Sequence, residues 1–337
     1  MKILNIGLIL SVVVFVFVGC GTKRQYFEPA NVSWKIDYDG SLPAKIVDVT
    51  RSGATLENGQ IITKDGLQNI KVPKGYIYLN NSNGEYLATS KCGELVILDR
   101  NSKIIYSKKF SECIASANIK NGNIALVSAS NRLYLIDYKS DKILFDLQQE
   151  DVYALDSRIA APYFLSSLIV YPTLDGKLVI VDSKSLKVVK SVVISNEEFF
   201  GNVIYLNVLN NRLVAATKKR VISINPKSMG ILDKNIKDVV VLKNRIFVFT
   251  KDGEVILCDA DLNVLKSKKF KFAIFAGAIY GDFIYMIERG GYLIATDADL
   301  ISTNIYKLPD EIDSYLYFNK NTMYFEDKYF KLSSKKR

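Results

Sequence analysis

The chain has 337 residues, with 45 Lys or Arg against 35 Asp or Glu, so its formal net charge at pH 7 is +10. It contains no His, which excludes Ser-His-Asp and Cys-His catalysis and His-bearing zinc or haem sites. The positive charge is spread along the sequence, which favours a solvated surface; a surface that binds anionic head groups or an acidic partner is the alternative. We predict no nucleic-acid partner.

The N-terminus is typical of a secretory signal, with a short positive start followed by an apolar stretch. Residues 17–20 read FVGC and resemble the cleavage box of bacterial lipoproteins. We therefore predict a signal peptide over 1–19, lipid attachment at Cys20 and a short tether over 20–30. A transmembrane anchor is the alternative, although the apolar run is shorter than the roughly 20 residues of a spanning helix. Because residue 21 is Gly rather than Asp, the resemblance implies an outer-membrane anchor facing the periplasm.

A seven-residue phrase recurs along the rest of the chain. Most copies begin with Gly or Asn, continue with mainly apolar residues and end with Asp or Asn. The copies lie at 59–65, 93–99, 131–137, 176–182, 219–225, 253–259 and 291–297. A repeat of about 40 residues built from short strands is typical of a β-propeller. Each unit can be divided into four strands, of which the phrase is the third, and its terminal Asp or Asn is expected to bond the backbone of the following turn.

The two ends of the chain predict how the ring closes. The last unit supplies only the three strands 315–319, 322–326 and 328–332, while 32–38 is a spare strand before the first unit. Pairing them would complete a blade and remove two open edges. We therefore predict an all-β fold with one domain over 31–337, an eight-bladed β-propeller of four-stranded antiparallel blades closed by an N-terminal strand. Seven blades are the alternative, if the degenerate first unit is a decoration.

The repeat resembles a known family. The phrase with its following turn and strand, as in 176–191, is similar to the PQQ-type propeller repeat. A lipidated ring of eight such repeats resembles the BamB family of the outer-membrane β-barrel assembly machinery, and 158–182 is the most similar stretch. The resemblance implies a non-enzymatic periplasmic scaffold, monomeric within a hetero-complex, whose partner is the periplasmic region of a BamA-like insertase.

Two other functions are left open. One is a scaffold of a different envelope machine, such as a flagellar motor or a secretion system, because fold alone does not select a partner. The other is a ligand-binding or PQQ-type enzyme acting in the central channel. The chain has no adjacent pair of Cys and no Trp predicted in the ring interior, and the candidate innermost strands 114–119 and 204–208 carry no carboxylate. We therefore predict no cofactor, no metal site and no catalytic residue.

Two cysteines are predicted to approach each other. In an up-and-down blade, the turn between the second and third strands emerges on the same face as the connection to the next blade. Cys92 lies in such a turn and Cys113 in such a connection. In an oxidising periplasm a Cys92–Cys113 disulfide would close a loop of about 20 residues and contribute about 3 kcal/mol. Two free thiols are the alternative.

The longest connections, around 148–158 and 196–202, are predicted to lie on that face. Aromatic and Arg side chains on loops above a rigid scaffold are favoured interface anchors. The predicted partner-binding residues are Tyr153, Arg158, Tyr163, Phe199 and Phe200. The alternative is that these aromatic side chains fill gaps between blades.

Overall fold

The structure is a computed structural model that describes residues 25–280 and 283–332. The predicted signal peptide, Cys20 and the first residues of the predicted tether therefore lie outside the described residues. The described residues form strands, turns and loops, and contain no helix long and apolar enough to cross a membrane.

Eight antiparallel sheets form the blades of a β-propeller, as predicted. From the innermost strand outward, blades 1 to 3 consist of Ile46–Val49, Ala54–Leu56, Gln60–Thr63 and Gly66–Lys71; Tyr76–Ser82, Glu85–Ser90, Glu94–Leu98 and Ile104–Lys109; Ile114–Lys120, Asn123–Ser128, Arg132–Asp137 and Lys142–Gln148. Blades 4 to 6 consist of Tyr163–Leu165, Leu168–Pro172, Lys177–Asp182 and Val188–Val193; Tyr205–Leu209, Arg212–Ala216, Arg220–Ile224 and Met229–Asp233; Ile236–Leu242, Arg245–Thr250, Glu254–Cys258 and Val264–Lys269. Blade 7 consists of Phe275–Tyr280, Ile284–Glu288, Tyr292–Thr296, Thr303–Lys307 and the added strand Trp34–Lys35. Blade 8 consists of Leu316–Phe318, Thr322–Phe325, Lys328–Lys331 and the closing strand Gly40–Ser41.

The core lies between neighbouring blades. The second and third strands are buried on both faces, so they read as continuous apolar runs such as Arg245–Thr250, rather than as an alternation of apolar and polar residues. One cluster joins Leu87 and Ile97 of blade 2 to Ile124 and Leu126 of blade 3. Because each blade buries its faces only against its neighbours, an isolated blade cannot form a core.

The recurring phrase forms the third strand of blades 1 to 7, as predicted. Its terminal side chain holds the turn that follows. In six copies an Asp or Asn Oδ1 accepts a hydrogen bond from the backbone N–H two residues on, at 2.8 to 3.1 Å: Asp99, Asp137, Asp182, Asn225, Asp259 and Asp297. Blade 1 differs, because there the N–H of Asp65 donates to Thr63 Oγ1 at 3.2 Å. The repeated acid is therefore a turn-forming residue in these six blades.

An N-terminal strand closes the ring, as predicted, but the prediction that 32–38 is this strand was wrong. Gly40–Ser41, not 32–38, pairs antiparallel with Tyr329 and Lys328 of blade 8. The reason is the length of the connections between blades. Blades 1 and 2 are joined by residues 72–75, and 42–45 is a connection of the same length that leads into blade 1. A closing strand at 40–41 lies directly before this short connection, whereas one at 32–38 would need a connection of seven residues.

The spare strand covers the neighbouring blade instead. Trp34–Lys35 adds to blade 7 in parallel with Thr303–Lys307, and the Trp34 ring lies 5.3 Å from that of Tyr306. Upstream, Phe27 is buried in the groove between blades 6 and 7, with its ring 5.4 Å from that of Tyr292. The described end of the predicted tether thus packs on the ring.

Candidate docking face and channel mouth

One face of the ring carries the turns between second and third strands and the connections between blades; we call it the connection face. Its longest connections are residues 149–162 and 194–204. These two loops brace each other, since Phe200 N–H donates to Ala154 O at 2.9 Å. Asn202, which is fully buried, accepts a hydrogen bond from Asp156 N–H at 2.8 Å. The loops are therefore a folded unit on a rigid ring.

Three exposed aromatic side chains lie on this unit, and we call Tyr153, Phe199 and Phe200 the aromatic patch. Their exposed fractions are 81%, 52% and 43%. The rings of Tyr153 and Phe199 are 6.4 Å apart. Lys218 Nζ lies 4.7 Å from the centre of the Phe200 ring and donates to Phe199 O at 2.8 Å. Exposed aromatic groups held on ordered loops are typical of protein interfaces.

The other two residues of the predicted cluster lie elsewhere. Arg158 is half-buried beneath the loops, where its guanidinium binds Asp156 at 2.5 and 2.8 Å and donates to Lys237 O. Tyr163 is half-buried and lines a cavity of about 350 Å³ beside Asn83. That cavity opens among the turns between first and second strands, opposite the connection face. The structure thus brings three of the five residues to one surface, places Arg158 below it and separates Tyr163.

The central channel is crossed by a side chain from blade 1. Arg51, in the turn after the innermost strand, donates from Nε to Ile204 O at 2.8 Å, at the entry to blade 5. Its Nη1 lies 3.0 Å from Asp238 Oδ1 of blade 6, and its guanidinium lies 5.9 Å from the centre of the Tyr205 ring. These contacts join opposite sides of the ring and narrow the channel.

A lysine enters the channel mouth next to this crossing. The innermost strands of blades 1, 3, 6 and 7 each contain a β-bulge near the connection face, whose extra residue is Val47, Ala115, Lys237 or Ala276. A bulge redirects a side chain that would otherwise continue the strand alternation. Burial and then the charge of Arg158 lower the pKa of Lys237 to about 8. Among the four extra residues, only Lys237 is charged.

Further cations surround this position on the connection face. Together with Lys237 we call them the basic mouth: Arg158, Lys218, Lys219, Lys251 and Arg289. Burial, followed by the charge of Arg158, lowers the pKa of Lys251. Although burial opposes its ionisation, the hydrogen bonds and charge of Arg158 lower the pKa of Asp156 to about 2, so this acid is ionised and already paired.

Sequence analysis did not find the basic mouth, because its members come from four different blades or connections. One local signal was available. The pair Lys237-Asp238 interrupts an innermost strand that is otherwise mainly apolar. Asp238 also shows that a carboxylate does occur on an innermost strand, although 114–119 and 204–208 carry none.

The predicted disulfide is not formed in the structure. Cys92 and Cys113 are free, exposed thiols, and Cys113 Sγ donates to Lys91 O at 2.9 Å instead of meeting the other sulfur. The two residues do lie on the same face, next to each other. Cys258 is buried in blade 6, where burial raises the pKa of its thiol to about 11. Among the described residues, no three Cys, Asp or Glu side chains are placed to hold a metal ion.

The sequence was compared with those of known proteins. No family model matches the chain. Its sequence is 27% identical to the plasminogen-binding protein PgbB of Helicobacter pylori strain 26695, over 96% of this chain and 70% of that protein. PgbB of strain J99 is 29% identical over the same shares.

Solved structures of similar shape are far more distant in sequence. BamB from Moraxella catarrhalis has a TM-score of 0.66 at 13% identity, covering 86% of this chain and 98% of its own. The fold is that of BamB-like and WD40 propellers. The C-terminal WD40 domain of Sif2 has a TM-score of 0.66 at 11% identity, covering 89% and 99%. Sqt1 from Saccharomyces cerevisiae has a TM-score of 0.62 at 10% identity, covering 88% and 98%. At such identities the likeness concerns the fold alone.

Proposed function

We propose that this chain is a lipid-anchored scaffold of the outer membrane that faces the periplasm and docks another envelope protein through its connection face. The aromatic patch carries the proposal. Three exposed aromatic rings on two mutually braced loops offer apolar area whose order is already established before binding, which lowers the entropic cost of docking. The similarity of the fold to that of BamB also supports a scaffold that binds other proteins.

The N-terminal segment supports a location of this face near the membrane. Phe27 follows the predicted lipidation site Cys20 by seven residues, a chain length that spans at most about 25 Å. Phe27 packs against Phe270 and Tyr292, which adjoin connection-face turns of blades 6 and 7. A lipid on Cys20 would therefore hold the connection face within reach of membrane-embedded partners. The periplasmic region of a BamA-like insertase is the partner that this arrangement and the BamB-like fold favour.

Site-specific photo-crosslinking in the native cell tests the docking surface. A photoreactive amino acid at Tyr153 is expected to capture a discrete partner, whereas one at Val189 is not. Val189 is a suitable control because it is 61% exposed but lies on the outer strand of the adjacent blade 4. Equal crosslinking from both positions, or from neither, would contradict docking through the aromatic patch.

The identity of the partner is tested separately. If the role is BamB-like, the Tyr153 adduct contains the insertase, and deletion of the chain lowers the amounts of outer-membrane β-barrel proteins. If the adduct contains a different protein and the amounts of barrel proteins are unchanged, the scaffold function is supported but the insertase is not its partner. The chain would then serve another envelope machine, such as a flagellar motor or secretion system.

A second candidate function is plasminogen binding. It is favoured by similarity to PgbB across 96% of this chain. Binding of the purified chain to immobilised plasminogen, compared with binding to albumin, tests it directly. Saturable binding to plasminogen alone would support this function, and equal binding to both proteins would count against it.

A further inference from the structure

The basic mouth contains cations that the rest of the described ring does not neutralise. Lys237, Lys251 and Arg289 make no ion pair with any described residue, while the neighbouring acid Asp238 is already bound to Arg51. In addition, Arg51 Nη2 is buried and has no hydrogen-bond acceptor among the described residues. The other nearby acid, Asp156, is paired with Arg158. A desolvated cation is costly when the acids around it are already paired with other cations. The mouth therefore has unused capacity for an anion.

The fold does not require the central lysine. At the equivalent bulge the innermost strands of blades 3 and 7 have Ala115 and Ala276, and blade 1 has Val47. All four bulges form with or without the charge. Lys237 is thus an addition to the architecture rather than a part of it, which is expected of a residue that serves binding.

The depth of the mouth indicates the shape of its ligand. Lys251 and Arg289 are exposed at the rim, whereas Lys237 is half-buried inside it. A flat lipid surface can reach the rim but not the lysine, whereas a carboxylate on an extended peptide can reach both. The aromatic patch adjoins the rim through Lys218, which contacts the Phe200 ring and is an electrostatic neighbour of Lys251.

We infer that the basic mouth binds an acidic segment of a partner protein. Its Asp or Glu carboxylates lie between Lys237, Lys251 and Arg289, and an adjacent apolar side chain packs on the aromatic patch. This inference rests on the proposed docking function and specifies the chemistry of the partner.

The test uses the full chain in mild detergent and a fluorescent peptide of alternating Asp and Glu that contains two Phe. The matched probe has Asn and Gln in place of the acids. The acidic peptide is expected to bind about ten-fold more tightly than the amide peptide, and more weakly as salt increases, because its recognition is electrostatic. Equal binding of the two peptides would overturn the inference.

Three variants separate a local site from net charge. Lys237→Ala and Arg289→Ala are each expected to weaken binding of the acidic peptide about ten-fold. Lys190→Ala removes the same charge from the exposed outer strand of blade 4 and is expected to leave binding unchanged. An equal loss in all three variants would overturn the inference in favour of a diffuse charge effect. Circular dichroism and thermal melting confirm folding of each variant, and alanine already occupies this bulge in blades 3 and 7.

A lipid ligand is the competing outcome. Vesicles with and without phosphatidylglycerol are compared for the original chain and for Lys237→Ala. If the acidic peptide fails to bind while Lys237→Ala weakens attachment only to anionic vesicles, the mouth is a lipid site and the inference is wrong. A partner crosslinked at Tyr153 that Lys237→Ala still captures would refute acid recognition but retain the docking function. Tight binding of the acidic peptide without any partner captured at Tyr153 would support acid recognition but refute the docking function.

Discussion

The middle strands and the innermost strands of the blades differ in how closely they repeat. The second and third strands of blade 6, Arg245–Thr250 and Glu254–Cys258, are buried almost throughout, and their counterparts in the other complete blades follow the same pattern. The innermost strand of blade 6 carries Lys237 and Asp238, while that of blade 3 carries Ala115 and Ser116 at the same positions. Packing between blades constrains the middle strands, whereas the channel leaves the innermost strands free to differ.

The largest loss of stability is expected from a substitution in a middle strand. Phe247 has no exposed surface and packs in the core between blades 6 and 7. Phe247→Ala should lower the free energy of unfolding by about 3–5 kcal/mol, because it removes buried apolar area and leaves a cavity. Chemical denaturation measures the change. Val189→Ala, on an exposed outer strand, should change it by less than about 0.5 kcal/mol. Similar losses in the two variants would show that the middle strands are not the stabilising element.

The next effect tests the turn that carries the channel-crossing Arg51. A Cβ atom on Gly53 would lie 2.1 Å from Ile62 O and 2.5 Å from the Tyr78 ring, so the backbone would have to move. Gly53→Ala should cost about 2–3 kcal/mol in unfolding free energy. Gly75→Ala is the control, since no atom lies within 4 Å of its Cβ position and only its φ of +82° opposes Ala; its expected cost is about 1 kcal/mol. A smaller loss at Gly53 than at Gly75 would refute the close packing of this turn.

Removing the crossing itself should have a smaller effect. Arg51→Ala leaves Asp238 without its ion pair and Ile204 O without its donor, so we expect a loss of about 1–3 kcal/mol in thermal or chemical unfolding. Arg220 provides a matched surface pair, with its Nε 2.6 Å from Asp233 Oδ1. Arg220→Ala should cost between 0 and about 1 kcal/mol, because that pair is solvated. Equal costs would mean that the crossing adds no more stability than a surface ion pair.

The smallest effect has the opposite sign. Lys237 has a pKa of about 8 in the folded chain, against about 10.4 in an unfolded chain. Below pH 8 it is charged in both states, and the folded state carries the full cost of the buried charge. Lys237→Met should therefore raise stability at pH 7 by about 1–2 kcal/mol. The original chain gains stability between pH 8 and about 10.4 as the folded amine loses its proton, so the difference between the two chains should shrink over that range.

Thermal melting at pH 7 and pH 10 measures this difference. Arg158, Arg289, Asp156 and Asp238 are the charged groups that face Lys237. A stability difference that is the same at both pH values would show that Lys237 is not held charged at a cost.

The repeat was predictable because it reflects local physics. Every copy of the phrase contains a short, mainly apolar run, and six of the seven end at a turn-forming Asp or Asn, as at Asp99 and Asp137. The third strands could therefore be located from the chain alone. The closing strand could not be located in this way. Gly40–Ser41 has only two residues and no apolar pattern, whereas the strand pattern of 32–38 predicts the closing strand there.

The candidate site also contains residues whose positions the sequence predicted and others whose positions it did not. The extra length of the connections predicted where Tyr153, Phe199 and Phe200 would lie, because long loops at known positions of a repeat emerge on a known face. It did not predict that Arg158 would turn inward to Asp156, or that Tyr163 would begin an inner strand. Those outcomes depend on which hydrogen-bond partners the assembled loops bring within reach.

By itself, the sequence determined that this chain consists of repeated β-rich units that must assemble into a ring, with eight blades favoured over seven, because apolar strands of this length cannot be buried within one unit. Only the tertiary structure decided what the ring brings together. Arg51 and Asp238 are 187 residues apart and meet because ring closure places blades 1 and 6 around one channel. The basic mouth arises from the same closure, since charges that are dispersed along the chain converge where innermost strands and connections surround the axis.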